Sequence, residues 1–186
     1  MNTTLSLLAL AFASVALLLS VAVARRTKQV LDGQHDDTAA RPVVPVGKQF
    51  PQDTPLTGLR GEAVPLGADQ RDPVLLGVFS AGCAGCADQL PVFKERIRRH
   101  HVERGRVVSF VVGEGPLADE FVRELDDVGS VVRQDVDGPV LEPLGVRNFP
   151  AFGVVDASGQ VVFWANQAPS LDDVLDRFAG DPEVAR

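Results

Sequence analysis

Residues 73–86 read PVLLGVFSAGCAGC and set the architecture of the chain. Their first half is a short apolar run between turn-forming residues, which is typical of a buried β-strand. The pair Cys83 and Cys86 follows directly, and residues 86–101 have the three-and-four spacing of apolar positions that predicts a helix. The two cysteines are therefore predicted at the junction of a strand and a helix.

The sequence after this junction alternates strand-like and helix-like patterns. They are a buried strand at 106–112, an amphipathic helix over 117–128, a short edge strand at 131–132, strands at 150–156 and 161–165 joined by a hairpin turn, and a last helix that starts at Ser170 with its hydroxyl as the cap. A strand–helix–strand crossover this short requires parallel strands covered by helices. We predict a three-layer α/β/α domain around a mixed central sheet.

An uncharged apolar segment, residues 5–24, precedes this domain. Twenty residues in a helix rise about 30 Å, which matches the hydrocarbon core of a bilayer. We predict a transmembrane anchor at 1–24, a polar linker at 25–44 and the folded domain at 45–186. Residues 22–24 also have the small-x-small form of a signal-peptide cleavage site, although the segment lacks a basic start and its apolar run is long for a signal peptide. A cleaved signal peptide is the alternative.

Charge and cysteine count restrict the function further. The formal net charge is −7, so there is no excess of cations to neutralise phosphates and no nucleic-acid partner is expected. The chain has only two cysteines, both in one short motif, which excludes a disulfide framework. A structural zinc site needs about four ligands, but His35 lies in the linker, and His100 and His101 lie at the far end of the helix. No metal and no other cofactor is expected.

The position of the cysteine pair favours redox chemistry. Unpaired backbone N–H groups and the dipole at a helix N-terminus stabilise negative charge, so thiols at such positions ionise more readily. The three-residue spacing places the second sulfur on the first helical turn, within reach of the first. Two inert, buried cysteines are the alternative, but packing alone gives them no reason to mark a strand-to-helix junction. We predict dithiol–disulfide exchange between Cys83 and Cys86.

Residues from about 45 to 180 resemble the redoxin branch of the thioredoxin superfamily. Within it they are most similar to the tethered TlpA-like disulfide reductases and the MauD-like accessory proteins of methylamine dehydrogenase. The motifs that carry the resemblance are FSAGCAGC at 79–86, QLP at 89–91, DVDG at 135–138, LGVRNFP at 144–150 and the strand–turn–strand pattern of 152–163. The resemblance implies a thioredoxin-like fold and an enzyme, a thiol–disulfide oxidoreductase of the protein-disulfide reductase type.

It also implies roles for four residues. Cys83 would be the nucleophile that forms a mixed disulfide with a client, and Cys86 would resolve it. Pro150 matches the superfamily's cis-proline, which faces the cysteine pair, and Phe149 would offer its backbone to the substrate. The implied partners are a client protein with a disulfide or thiols and an electron donor in the membrane or outside it. The implied location is the cell membrane, with one membrane pass and an extracytoplasmic domain.

Several features leave alternatives open. The family pattern is broken at three positions: Gly82 where relatives commonly carry Trp, Gly77 where thioredoxins have a buried acid, and Gln89 where TlpA-like relatives often have Glu. The proton acceptor for Cys86 is thus unidentified, and Glu62, Asp88 or water are candidates. The positive-inside rule, applied to the basic residues that follow the apolar segment, favours a cytoplasmic domain instead. A tethered assembly factor and a copper metallochaperone are the alternative functions, although such carriers usually need a third ligand and no histidine follows His101.

Overall fold

The structure is a computed structural model that describes residues 45–51, 54–64, 66, 70 and 72–180. All of these belong to Pro42–Arg186, the second of the two units into which the chain divides. The predicted anchor at 1–24 and linker at 25–44 lie outside the described residues. Within the described part of the chain, no helix is both long enough and apolar enough to cross a membrane.

A mixed five-stranded sheet forms the centre of the domain. Its strands are β1 (Val74–Ser80), β2 (Val107–Val112), β3 (Ser130–Arg133), β4 (Ala151–Val155) and β5 (Val161–Ala165), in the spatial order β3–β2–β1–β4–β5. The β1–β2 and β2–β3 pairs are parallel, whereas β1–β4 and β4–β5 are antiparallel. The predicted mixed sheet, its edge strand β3 and its terminal hairpin are all confirmed.

The helices of the described region are α1 (Ala84–Arg99), α2 (Pro116–Leu125), α3 (Leu141–Leu144) and α4 (Asp172–Gly180). Helix α1 begins two residues earlier than predicted, directly after Cys83. The predicted start of the last helix at Ser170 is wrong, because Ser170 lies inside a 3₁₀ turn, Ala168–Leu171, that precedes α4. Pro169 stands at the beginning of this turn, where its fixed φ favours helical backbone, so the chain turns before Ser170 is reached.

The sheet is covered on both faces, as the three-layer prediction requires. One face packs against α1, α2 and α4 in a core that includes four phenylalanines: Phe79, Phe93, Phe121 and Phe152. Their ring centroids lie 5.2 to 6.2 Å apart in tilted and edge-to-face contacts. The other face packs against α3 and against irregular chain that contributes Phe50, Leu56, Val64 and Leu66. The aromatic core lies directly behind the cysteine pair.

Candidate active site

Cys83 lies where strand β1 gives way to helix α1. It is the residue that precedes the helix, with extended backbone at φ −106° and ψ 112°. The loop is held to the sheet by two backbone bonds, from the Ala81 N–H to the Val112 carbonyl (3.0 Å) and from the Cys83 N–H to the Ser80 carbonyl (3.1 Å). No acidic residue occupies the first turn of α1. The helix start therefore carries no acidic side chain next to Cys83.

The two sulfurs have different surroundings. The Cys83 side chain is half-buried, and its thiol donates a hydrogen bond to the Phe149 carbonyl oxygen at 3.1 Å. Cys86 is fully buried, and its sulfur accepts the Ser80 N–H at 3.4 Å. Neither cysteine is bonded to another. Only Cys83 is placed to meet another molecule.

Burial also controls the ionisation of Cys86. It raises the pKa of Cys86 to about 12, helped by the hydrogen bond with Cys83 and opposed by the Ser80 N–H. The physical cause is that apolar surroundings disfavour a charged sulfur. Cys86 is therefore protonated at neutral pH and must lose a proton before it can attack a disulfide.

Phe149 and Pro150 form the opposite wall of the site. The bond between them is cis, as predicted. The Pro150 Cδ lies 3.9 Å from the point that a Cβ on Gly85 would occupy, so the proline packs over the loop between the two cysteines. All four predicted site residues are thus brought together, with Phe149 supplying the atom that contacts Cys83. Their catalytic and substrate-binding roles stay predictions.

Aromatic rings fill the position where thioredoxins have a buried acid. A Cβ on Gly77 would lie only 2.9 Å from ring atoms of Phe79 and of Phe93, so no larger side chain fits without displacing them. Gln89 is engaged elsewhere, because its Oε1 accepts the Ala168 N–H at 2.9 Å. The aromatic core thus leaves Cys86 in dry surroundings.

The two carboxylates proposed as proton acceptors for Cys86 are Glu62 and Asp88. Glu62 lies in the N-terminal part of the domain, where its carboxylate accepts the N–H of Arg60 at 3.0 Å, and Asp88 is exposed on α1. No carboxylate is among the groups that shift the pKa of Cys86.

Among the described residues, no group of three or more His, Cys, Asp or Glu side chains lies close enough together to hold a metal ion.

One residue near the site could not be predicted from the sequence. Asn166 directly follows β5, and its Nδ2 donates to the Pro150 carbonyl at 3.0 Å. A single asparagine after a strand is typical of any turn. Only the fold shows that it reaches the proline loop.

Similarity to known proteins is found in structure alone, since no protein-family model and no curated protein matches the sequence. The thioredoxin domain of a thiol-disulfide oxidoreductase from Bacteroides vulgatus has 19% identity and a TM-score of 0.57, over 73% of this chain and 98% of that one. A secreted Mycobacterium tuberculosis disulfide oxidoreductase homologous to E. coli DsbE has 17% identity and a TM-score of 0.52, over 68% and 96%. The exposed lipoprotein thioredoxin of Streptococcus pneumoniae has 23% identity and a TM-score of 0.50, over 67% and 98%.

These similarities confirm the thioredoxin-like α/β fold. At such identities they concern the fold, and the narrower kinship with TlpA-like or MauD-like proteins stays a prediction.

Proposed function

We propose that this protein is a membrane-tethered thiol–disulfide oxidoreductase that reduces disulfides of client proteins on the extracytoplasmic side of the membrane. The observation that carries this proposal is the asymmetry of the two sulfurs. Cys83 is half-exposed at a helix start, and Cys86 is buried one turn behind it. Such an arrangement suits one attacking and one resolving thiol. The solved structures that share this fold include proteins named as thiol-disulfide oxidoreductases.

The reaction needs two exchange steps. The Cys83 thiolate attacks one sulfur of a client disulfide, so a Cys83–client bond forms, the client bond breaks, and the other client sulfur leaves as a thiolate that takes up a proton. Cys86 then gives up its proton and attacks the Cys83 sulfur, which releases the second client thiol and leaves a Cys83–Cys86 disulfide. The client gains two electrons and two protons. A dithiol donor of the membrane or the extracytoplasmic space must return them to the protein.

Phe149 is well placed to guide the client. Its side chain is partly buried and packs against the cores on both faces of the sheet, which fixes its backbone beside Cys83. Its carbonyl accepts the Cys83 thiol in the dithiol form. Once Cys83 is bonded to a client sulfur, this carbonyl has lost its donor and becomes available to an N–H of the client backbone.

The tether and its orientation rest on other observations. Residues 5–24 are uncharged and long enough to span a bilayer. The chain has no cysteine outside the pair, as suits an oxidising compartment where stray thiols would cross-link. Two proteins of the same fold are described as secreted and as an exposed lipoprotein.

Trapping of clients tests the proposed chemistry. Full-length Cys86→Ala, which cannot resolve, should accumulate covalent adducts with proteins on non-reducing gels, whereas Cys83→Ala should trap almost none. Wild-type protein supplied with dithiothreitol should reduce insulin, and both variants should lose this activity. The proposal would be wrong if the two variants trapped equal amounts of adduct, or if either variant still reduced insulin.

Labelling of intact cells tests the orientation. A membrane-impermeant thiol reagent, applied after mild reduction, should modify Cys83 without lysis. Modification that requires lysis would place the domain in the cytoplasm. Cells that carry Cys83→Ala provide the background signal.

A further inference from the structure

Residues 166–168, here called the bridge segment, connect the two walls of the site. At one end the Asn166 Nδ2 donates to the carbonyl of Pro150 at 3.0 Å. At the other end the Ala168 N–H donates to Oε1 of Gln89 at 2.9 Å. Pro150 belongs to the loop that faces the cysteines, and Gln89 lies on α1, three residues after Cys86. Two hydrogen bonds from one three-residue segment therefore reach both sides of the cleft.

The bridge segment is anchored in the aromatic core. Ala168 is fully buried, and so is Leu171 at the end of the same 3₁₀ turn. Both belong to the core that also contains Cys86. The two bridging hydrogen bonds are themselves partly buried, so water competes with them less than it would at the surface. The segment is thus a fixed point from which the proline loop and α1 are both held.

We propose that Asn166 and Gln89 are positioning residues that hold the proline loop against α1 and so set the groove in which a client disulfide meets Cys83. This inference rests on the proposed function. Asn166 acts through the Pro150 carbonyl, one residue from the Phe149 carbonyl that contacts Cys83. Gln89 acts through α1, whose first residues flank the sulfur.

The groups involved predict which substitutions matter. Gln89 is an acceptor in this contact, so Gln89→Glu keeps the bond, whereas Gln89→Met removes it with little change in length. Asn166 is a donor, so the isosteric Asn166→Asp loses the bond when ionised. Gln167→Glu adds the same charge one residue further along and touches neither bond. It is the matched control for Asn166→Asp.

The test compares a protein disulfide with a small one. Full-length wild-type protein and the four variants, each supplied with dithiothreitol, are assayed with insulin and with uncharged 2-hydroxyethyl disulfide. The small disulfide undergoes the same two exchange steps but is too short to occupy the groove beyond the Cys83 sulfur. We expect Asn166→Asp and Gln89→Met each to raise the KM for insulin about five-fold, as loss of one hydrogen bond implies. Their rates with the small disulfide should stay within about two-fold of wild type. Gln167→Glu should match wild type on both substrates, and Gln89→Glu should keep the wild-type KM for insulin because it keeps the bond.

The outcomes separate this inference from the function on which it rests. Unchanged insulin KM values in Asn166→Asp and Gln89→Met, beside an active wild type, overturn the positioning role. Equal losses on both substrates overturn it too, because they indicate damage to the sulfur chemistry or the fold. A wild-type protein that reduces neither substrate overturns the proposed function instead.

Discussion

Helix α1 begins among small uncharged residues and ends among charged side chains that form several ion pairs. Ala84 and Gly85 form its start, with no acidic residue in the first turn. In its second half Lys94 contacts Glu124 at 2.6 Å, and Arg98 contacts Asp127 at 2.8 Å. These pairs join α1 to α2 and the loop that follows it. Arg96 and His100 contact Asp172 at 2.8 and 3.2 Å and so join α1 to α4.

The difference separates two tasks. Charged side chains at the far end fix the helix to its neighbours, whereas burial and backbone N–H groups govern the sulfurs at the near end. A fixed charge beside Cys83 or Cys86 would alter thiol ionisation directly, since opposite charges favour the thiolate and like charges oppose it. The contrast predicts that changes near the sulfurs alter folding or chemistry strongly, and that changes at the far end alter stability alone.

The largest effect should come from placing an acid against the aromatic core that contains Cys86. Gly77→Asp has to displace the Phe79 and Phe93 rings and bury a carboxylate, so it should lower the free energy of unfolding by about 3 kcal/mol or more. Gly105→Asp is the matched control, because that glycine is exposed and a Cβ there meets no atom within 4 Å. It should change stability by about 0.5 kcal/mol at most. Urea unfolding of the reduced full-length chain measures both, and equal stabilities would contradict the close packing of the Phe79 and Phe93 rings against Gly77.

The next effect concerns pH. Because the pKa of Cys86 is raised to about 12, its thiolate fraction rises about tenfold with each pH unit below that value. Resolution of a mixed disulfide on Cys83 should therefore accelerate about a hundred-fold between pH 7 and pH 9. The second phase of thionitrobenzoate release from Ellman's reagent reports this step, and Cys86→Ala should lack it. A rate that levels off below pH 8 would mean that a proton acceptor serves Cys86.

A smaller effect is expected from Lys94 at the far end. Its hydrogen bond holds the pKa of Glu124 below the usual value, while Arg98 and then Lys94 do the same for the pKa of Asp127. Carboxyls with lowered pKa stabilise the fold above the unfolded value of about 4, and this stabilisation is lost as pH falls through the folded value. Lys94→Met should thus be less stable than wild type at pH 7, with the difference shrinking toward pH 3.

Lys48→Met is the control for this pH dependence. The Lys48 ammonium donates to the carbonyls of Pro143 and Leu144, which do not titrate. Its loss should therefore cost the same at both pH values. Insulin reduction should be unchanged in Lys94→Met. A loss of activity there would contradict the expectation that changes at the far end of α1 alter stability alone.

The smallest effect should follow from Arg98→Ala. This arginine and its partner Asp127 are both largely exposed, and such surface pairs contribute little. We expect the urea midpoint and insulin reduction to stay within error of wild type. A clear loss of stability would show that the far-end pairs act as one network instead of as separate contacts.

Features formed by residues that are adjacent in the sequence could be predicted, whereas contacts between distant residues could not. The β1–α1 junction was predictable because an apolar run, two turn residues and a C-x-x-C pair are adjacent in sequence. Helix α3 was missed because its four residues are too few to show a helical period. The irregular layer around Phe50 and Leu66 has no period either. The hydrogen bond between Gln89 and Ala168 joins residues 79 positions apart, and no local sequence pattern predicts a contact over that distance.

Competitive alkylation of the reduced native protein tests most directly whether Cys83 is the attacking thiol and Cys86 the resolving thiol. At pH 7, limiting iodoacetamide followed by peptide mass spectrometry should find Cys83 modified about a hundred-fold or more faster than Cys86, because Cys86 is buried and protonated. In urea the two rates should converge. Native Cys86 reacting as fast as Cys83, or before it, would contradict the assignment of Cys83 as the attacking thiol.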